Sequence, residues 1–133
     1  MGSEMCIRDR ANVAGKDAGL MLDERGFVAE LNGSNLFMVK NGSIYTPFGH
    51  ACLPGITRNT VMELCEVNNI KLEEYDITLS QMYNADGVFA TGTMGELTPV
   101  VEIDGRSINR EDVLMGKVLS LFKNKIRDYC EPI

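Results

Sequence analysis

The chain has 133 residues, of which 44% are hydrophobic and 24% are charged, and its formal net charge is −6 at pH 7. This length predicts one domain or part of a larger one, and the composition is that of a globular protein with a real core. The acidic balance excludes a large basic surface for nucleic acid, and no apolar stretch approaches the roughly 20 residues of a membrane-spanning helix. We therefore expect a soluble, cytoplasmic protein that binds neither nucleic acid nor membrane.

The four cysteines are scattered without a C-x-x-C pair, and the chain has a single histidine, His50. Metal sites built from cysteine and histidine need closely spaced ligands, so we predict no metal site. The chain shows no secretory signal, and its cysteines are expected to be free thiols in a reducing compartment. No serine or cysteine nucleophile motif accompanies His50, so we do not assign it to catalysis.

The first ten residues, MGSEMCIRDR, show no regular spacing of apolar residues. We expect residues 1–10 to be a non-native leader or junction and residues 11–133 to be the organised part. The first third of that part contains two hairpin patterns, in which short apolar runs flank a polar turn. They are GLMLDERGFVAE and NLFMVKNGSIYTP, and the Asn41-Gly42 pair in the second is the strongest short hairpin signal.

A helix is predicted directly after the turn CLPGITR, because the run TRNTVMELCEVNN has apolar residues at helical spacing. Thr57 is the expected N-cap of this helix, and Thr60 with Glu63 forms a competing capping box one turn later.

Strands and helices follow one another in the second half of the chain. We predict a strand, a helical turn, two strands and a final helix. This order predicts an α+β fold with a mixed or antiparallel sheet and two main helices. The five segments are IKLEEYDITL, SQMYNAD, GVFATGT, LTPVVEIDG and NREDVLMGKVLSLFKNKIRDYC.

Two turns have the chemistry to hold an anion. CLPGITR supplies the free backbone amides of a helix start and a threonine hydroxyl, and ATGTMGELTP supplies Thr93 between glycines that allow amides to approach a ligand. Glu30 ends an apolar strand and precedes the polar turn LNGSN. Each turn can equally be structural, and Glu30 can be an exposed carboxylate at a strand end. The residues by themselves therefore indicate a candidate anion site on an α+β domain.

Three segments in order resemble the class IV, or fold type IV, enzymes that use pyridoxal phosphate. This family includes the branched-chain and D-amino-acid aminotransferases and aminodeoxychorismate lyase. The similarity runs from about Val13 to the end of the chain and is strongest to the branched-chain aminotransferases. The segments are GFVAELNGSNLFMVKNGSIYTP, CLPGITRNTVMEL and ADGVFATGTMGELTPVVEIDGR.

The resemblance implies a role for each candidate group. In this family the Leu-Pro-Gly-Ile-Thr loop and the helix after it hold the phosphate of the cofactor, and Thr93 matches a second phosphate contact. Glu30 matches the carboxylate that pairs with the pyridine nitrogen, and the Met94 amide matches a donor to the substrate carboxylate. The implied cofactor-binding residues are Glu30, Leu53, Gly55, Ile56, Thr57, Gly92 and Thr93, and the implied substrate-binding residues are Thr93 and Met94.

The resemblance also implies a reaction, the transfer of an amino group between a branched-chain amino acid and a 2-oxo acid such as 2-oxoglutarate. The enzymes it resembles are homodimers. Their Schiff-base lysine falls just before Met1, and Lys16 lies in a different context (VAGKDAG), so no catalytic residue is assigned. Their smaller N-terminal domain has no counterpart here. We therefore expect a C-terminal part of the large domain that is inactive by itself.

Two alternatives stay open at this point. An aminodeoxychorismate lyase would share the residues present here, although the TMGELTP form of the second turn favours the aminotransferase. The chain could also be a non-catalytic, truncated module that binds pyridoxal phosphate.

Overall fold

The computed structural model describes residues 6–13, 16–31, 34–48, 56–91, 96–109 and 111–130. Within these ranges the chain forms strands and helices that alternate in small groups. In chain order they are β1 (Cys6–Val13), β2 (Lys16–Leu22), β3 (Val28–Leu31), β4 (Leu36–Lys40), β5 (Ser43–Thr46), α1 (Ile56–Val67), β6 (Leu72–Glu74), α2 (Leu79–Tyr83), β7 (Gly87–Thr91), β8 (Leu97–Ile103), β9 (Arg106–Ser107) and α3 (Val113–Cys130).

The described strands form one sheet in the order β3-β2-β1-β8-β7-β4-β5-β6, with β9 paired to β8. Neighbouring strands are antiparallel, except that β5 and β6 pair in parallel. The predicted α+β fold with a mixed sheet is confirmed, and the short helix α2 adds to the two main helices α1 and α3.

Most elements lie where the sequence predicts them, but β1 and β9 were not predicted and two predicted elements differ. Helix α1 begins at Ile56, so the prediction that Thr57 is its N-cap is wrong and Thr57 lies within the first turn. The strand predicted over IKLEEYDITL is reduced to three residues in β6. After β6, the Ile77 carbonyl accepts a 2.8 Å hydrogen bond from the Val28 N–H at the start of β3.

Strand β1 begins inside the segment that the sequence predicts to be a non-native leader. It pairs with β2 from Cys6 to Val13, which puts residues 6–10 in the sheet. Strand pairing does not test whether these residues are native, so the leader stays a prediction.

Alternating side chains of β4 and β7 fill two hydrophobic cores, one on each face of the sheet. Phe37, Val39 and Phe89 pack with α1 and α3, while Met38 and Val88 pack with β2, β3 and α2. The rings of Phe37 and Phe89 stack with their centroids 4.9 Å apart. Because both faces are covered, the sequence of β4 is continuously apolar instead of alternating.

Helices α1 and α3 each bury one apolar stripe against the sheet. Val61 and Cys65 of α1 are buried, as are Met115, Val118 and Phe122 of α3. The predicted apolar spacing is therefore confirmed for Val61 and Cys65 of α1 and for Val118 and Phe122 of α3. In the described part of the chain, no helix is both long and apolar enough to cross a membrane.

The tight turn between β4 and β5 depends on left-handed backbone conformations. Asn41 has φ 52° and Gly42 has φ 78°, the combination that an Asn-Gly hairpin requires. Both residues are exposed, and a Cβ added to Gly42 would meet no atom within 4 Å. Glycine is needed here for its backbone conformation and not for space.

We expect Gly42→Ala to destabilise the fold by about 1–2 kcal/mol, because an L-residue is strained at positive φ. The matched control is Gly116→Ala, an equally exposed glycine inside α3 with open space around it. This second change should stabilise the fold by roughly 0.5–1 kcal/mol, since alanine loses less backbone entropy in a helix. Urea unfolding of the two variants measures both effects. Equal stability of Gly42→Ala and the wild type would contradict the hairpin conformation.

Burial raises the pKa of the Cys65 thiol from 9.0 to about 11. The folded state therefore binds this proton more tightly than the unfolded state, and it loses that advantage as the pH rises from 9 to 11. We expect the stability difference between wild type and Cys65→Ala to narrow over this range, by at most about 1.4 kcal/mol per pH unit. Unfolding curves at several pH values measure this stability difference, and the value at neutral pH is the internal control. A constant difference throughout would show that the thiol is not shielded from water.

Candidate functional site

The ends of several strands meet along one side of the sheet, which we call the site edge. Strand β4 begins there at Leu36, β5 ends there at Thr46 and β7 ends there at Thr91, because antiparallel neighbours begin where their partners end. Strand β8 begins beside the end of β7, with Leu97 paired to Thr91. The site edge is thus defined by Leu36, Thr46, Thr91 and Leu97.

Among the residues whose burial the structure describes, the buried polar side chains lie at the site edge: Asn35, Thr46, Arg58 and Thr91. The Thr46 hydroxyl donates a hydrogen bond of 2.7 Å to the Leu36 carbonyl, which joins β5 to β4. The Thr91 hydroxyl accepts a 3.0 Å bond from the Asn35 N–H, and the Thr91 N–H donates to the Asn35 carbonyl at 3.0 Å. These bonds compensate the cost of burial and fix the strand ends relative to one another.

Arg58 connects the first turn of α1 to the site edge. Its Nη2 donates to the Pro47 carbonyl at 3.0 Å and to Oε2 of Glu74 at 2.7 Å. Its Nη1 lies 3.5 Å from the sulfur of Met62. The Nε–H of Arg58 is buried and has no hydrogen-bond partner in the described structure. The start of α1 therefore lies beside the end of β5, with a buried cation next to it.

Arg58 was not predicted as a site residue, although the sequence contains a signal for it. It precedes Val61 by one helical turn and Cys65 by two, so it lies on the stripe that faces the core. A charged residue on an otherwise apolar stripe indicates a buried ion pair. The prediction used only the apolar residues of TRNTVMELCEVNN and so did not include Arg58.

Only some of the predicted site residues lie in the described part of the chain. Ile56 and Thr57 are the first two residues of α1, and Thr57 is half-buried. Glu30 lies in β3, in register with Met21 of β2, and β3 ends one residue later, shortly before Asn35 of the site edge. The other predicted positions, Leu53, Gly55, Gly92, Thr93 and Met94, lie outside the described residues.

The chemistry of the site edge suits an anion. The first N–H groups of a helix have no partner within it and carry a partial positive charge. The first turn of α1 contains no acidic residue that would neutralise that charge. The buried guanidinium of Arg58 adds a positive charge in the same turn. Together these groups fit a phosphate, such as that of pyridoxal phosphate.

Other sites in the molecule do not coincide with the site edge. Within the described ranges, no group of three or more His, Cys, Asp or Glu side chains is arranged to hold a metal ion. A cavity of about 380 Å³ lies beside α2, but none of the described site residues lines it. Lys40 at its rim is engaged with the Asn84 carbonyl at 2.8 Å. The residues lining the cavity include Met38, Lys40, Tyr45, Tyr75 and Asn84.

Sequence comparison connects this chain to a known family. The family model for amino-transferase class IV matches residues 2–103. The branched-chain-amino-acid aminotransferase-like protein 2 of Arabidopsis thaliana is 54% identical over 103 residues, which are 77% of this chain and 18% of that protein.

Two solved structures share the fold. The branched-chain aminotransferase of Thermoproteus uzoniensis with norvaline has a TM-score of 0.79 and 36% identity, over 86% of this chain and 38% of that one. The T.th. branched-chain amino acid aminotransferase with pyridoxamine 5'-phosphate has a TM-score of 0.78 and 36% identity, over 89% of this chain and 40% of that one. This chain thus spans less than half the length of each protein with which it is compared.

The resemblance of the three sequence segments is confirmed by these matches. The family match covers more than half of the chain and takes in the site edge and all of α1. The likeness to the solved structures confirms the fold over the same region. The chain is therefore a member of the class IV aminotransferase family.

Proposed function

We propose that the protein uses pyridoxal phosphate to transfer an amino group between a branched-chain amino acid and a 2-oxo acid such as 2-oxoglutarate. The observation that carries the proposal is the site edge, where the start of α1 lies beside the buried Arg58. Strand β3, which bears Glu30, ends at Leu31, four residues before Asn35 in the sequence. The proposed substrates and cofactor are supported by two related enzymes, one solved with norvaline and one with pyridoxamine 5'-phosphate.

The phosphate end of the proposed site lies at the start of α1. The amides of Ile56 and Thr57 belong to the first turn and have no acceptor within the helix, so they are free to donate to phosphate oxygens. The Thr57 hydroxyl adds a donor, and a dianion gains further from the helix dipole. The residues proposed to hold the phosphate are Leu53, Gly55, Ile56, Thr57, Gly92 and Thr93.

The ring end of the proposed site depends on Glu30. Its carboxylate accepts a hydrogen bond from the pyridine nitrogen and, as an anion, holds a proton on that atom. When bound, the cofactor draws electron density away from the α-carbon of the amino acid. The backbone of Thr93 and Met94 binds the substrate carboxylate, which orients the amino acid for the reaction.

We also propose that the protein is a homodimer that works in the cytoplasm. The buried thiol of Cys65 supports a reducing compartment. The homodimer follows from the family resemblance, and light scattering of the purified full-length protein measures its mass directly.

The full-length protein should convert leucine and 2-oxoglutarate to glutamate and the 2-oxo acid of leucine. Chromatography of the products measures both. The control substrate is aminodeoxychorismate, from which a lyase of the same fold would release pyruvate. Pyruvate release without any amino transfer to 2-oxoglutarate would contradict the aminotransferase proposal.

Glu30→Gln should slow amino transfer about 10- to 100-fold, the effect of losing one hydrogen bond to a charged group. The variant keeps the shape of the side chain but cannot hold the proton on the pyridine nitrogen. Rapid-mixing absorbance with leucine measures the rate, and cofactor occupancy is measured separately. The matched control is Glu102→Gln on β8, an exposed carboxylate outside the proposed site. An unchanged rate in Glu30→Gln would overturn the role of Glu30.

A further inference from the structure

The guanidinium of Arg58 joins the start of α1 to the end of β5. We propose that Arg58 is a positioning residue, which holds the start of α1 against β5 and β6 and thereby sets the direction of the first amides of α1. The proposal rests on the proposed function, since those amides are the donors assigned to the phosphate. It concerns the packing beneath the phosphate and not a contact with it.

Arg58 is a costly residue to bury, which indicates that its contacts serve a purpose. Its side chain is only 6% exposed, and Val61 and Cys65 continue the same face of α1 into the hydrophobic core. A buried cation needs close partners to offset its loss of hydration, and an apolar residue would often be at least as stable there. The contacts that offset the lost hydration of the Arg58 guanidinium all lie at the site edge or in α1 itself.

The hydrogen bond from Arg58 to Pro47 joins the start of α1 to the end of β5. Pro47 directly follows β5, and its carbonyl accepts the 3.0 Å bond from Nη2 across a separation of 11 residues. The Leu-Pro-Gly-Ile-Thr sequence lies between these two positions. One side chain thus fixes the distance between the end of β5 and the start of α1.

The ion pair with Glu74 fixes the start of α1 to a second strand, β6. Glu74 ends β6 and is in register with Thr46 of β5, and the Tyr75 N–H donates to the Thr46 carbonyl at 2.9 Å. The 2.7 Å contact between Arg58 and Glu74 therefore connects α1 to the outermost parallel pair of strands. Helix α1 is held to β5 through Pro47 and to β6 through Glu74.

The geometry requires arginine instead of lysine. Nη2 bonds two oxygens that belong to different elements, while Nη1 contacts the sulfur of Met62 one turn further along α1. A planar guanidinium presents several donors in a fixed arrangement, whereas a lysine is a single point charge on a flexible stem. Lysine should therefore keep the charge but lose part of the restraint.

The test separates phosphate binding from binding of the rest of the cofactor. Apo forms of the full-length protein are titrated with pyridoxal phosphate and with pyridoxal, which lacks the phosphate, and the ratio of the two Kd values is taken. We expect Arg58→Met to reduce the preference for pyridoxal phosphate about 10- to 100-fold, with little change in pyridoxal binding. Arg58→Lys should recover part of this preference. Glu74→Gln, which keeps an acceptor for Arg58, should show a smaller loss.

The matched control is Arg25→Met. Arg25 also contacts two carboxylates, those of Asp23 and Asp76, but its side chain is 47% exposed and lies away from the site edge. This variant should keep the wild-type ratio. Thermal unfolding verifies that each variant is folded, and if Arg58→Met fails to fold, Arg58→Lys and Glu74→Gln decide the question.

Two results would overturn the inference, and they are distinguishable. If the folded Arg58 variants weaken both ligands equally or leave the ratio unchanged, Arg58 serves stability alone and the phosphate site stands. If the wild type itself shows no preference for pyridoxal phosphate over pyridoxal, the proposed phosphate site is wrong and the role of Arg58 is lost with it.

Discussion

Water is largely excluded from the edge of the sheet where β4 begins and β5 and β7 end, so the buried polar groups there depend on partners within the protein. The Thr46 hydroxyl meets this requirement by donating to the Leu36 carbonyl, and the Thr91 hydroxyl meets it by accepting from the Asn35 N–H. Nη2 of Arg58 meets it by donating to Pro47 and Glu74. Such bonds are short and directional, and they fail if a strand shifts by one residue. They therefore position the strand ends and the helix start from which the candidate site is built.

Strands β4 and β7 give the site edge a well-packed support. The two hydrophobic cores cover both faces of β4 and β7, and the stacked rings of Phe37 and Phe89 lie at the centre of one of them. Helix α1 belongs to both regions, because its middle packs in this core while its first turn reaches the site edge. A ligand held at the first turn is thereby attached to the most rigid part of the fold.

The features that could be predicted from the sequence are those set by residues close to one another along the chain. The Asn41-Gly42 turn and the apolar spacing of α1 and α3 are signals of short range, and the structure confirms them. The site edge depends on pairs that are distant in sequence, such as Asn35 with Thr91 across 56 residues, and no local pattern contains that information. The short β6 and the burial of Arg58 follow from the same long-range packing. Motif resemblance supplied the roles of Glu30 and the two turns, which spacing by itself left open.

A crystal structure of the full-length protein with pyridoxal phosphate tests the central claim most directly. The account predicts that the phosphate lies at the start of α1, where its oxygens accept hydrogen bonds from the amides of Ile56 and Thr57. It also predicts that Arg58 keeps its contacts with Pro47 and Glu74 beneath the phosphate. A phosphate bound elsewhere, for example in the cavity beside Lys40, would contradict the assignment of the site edge.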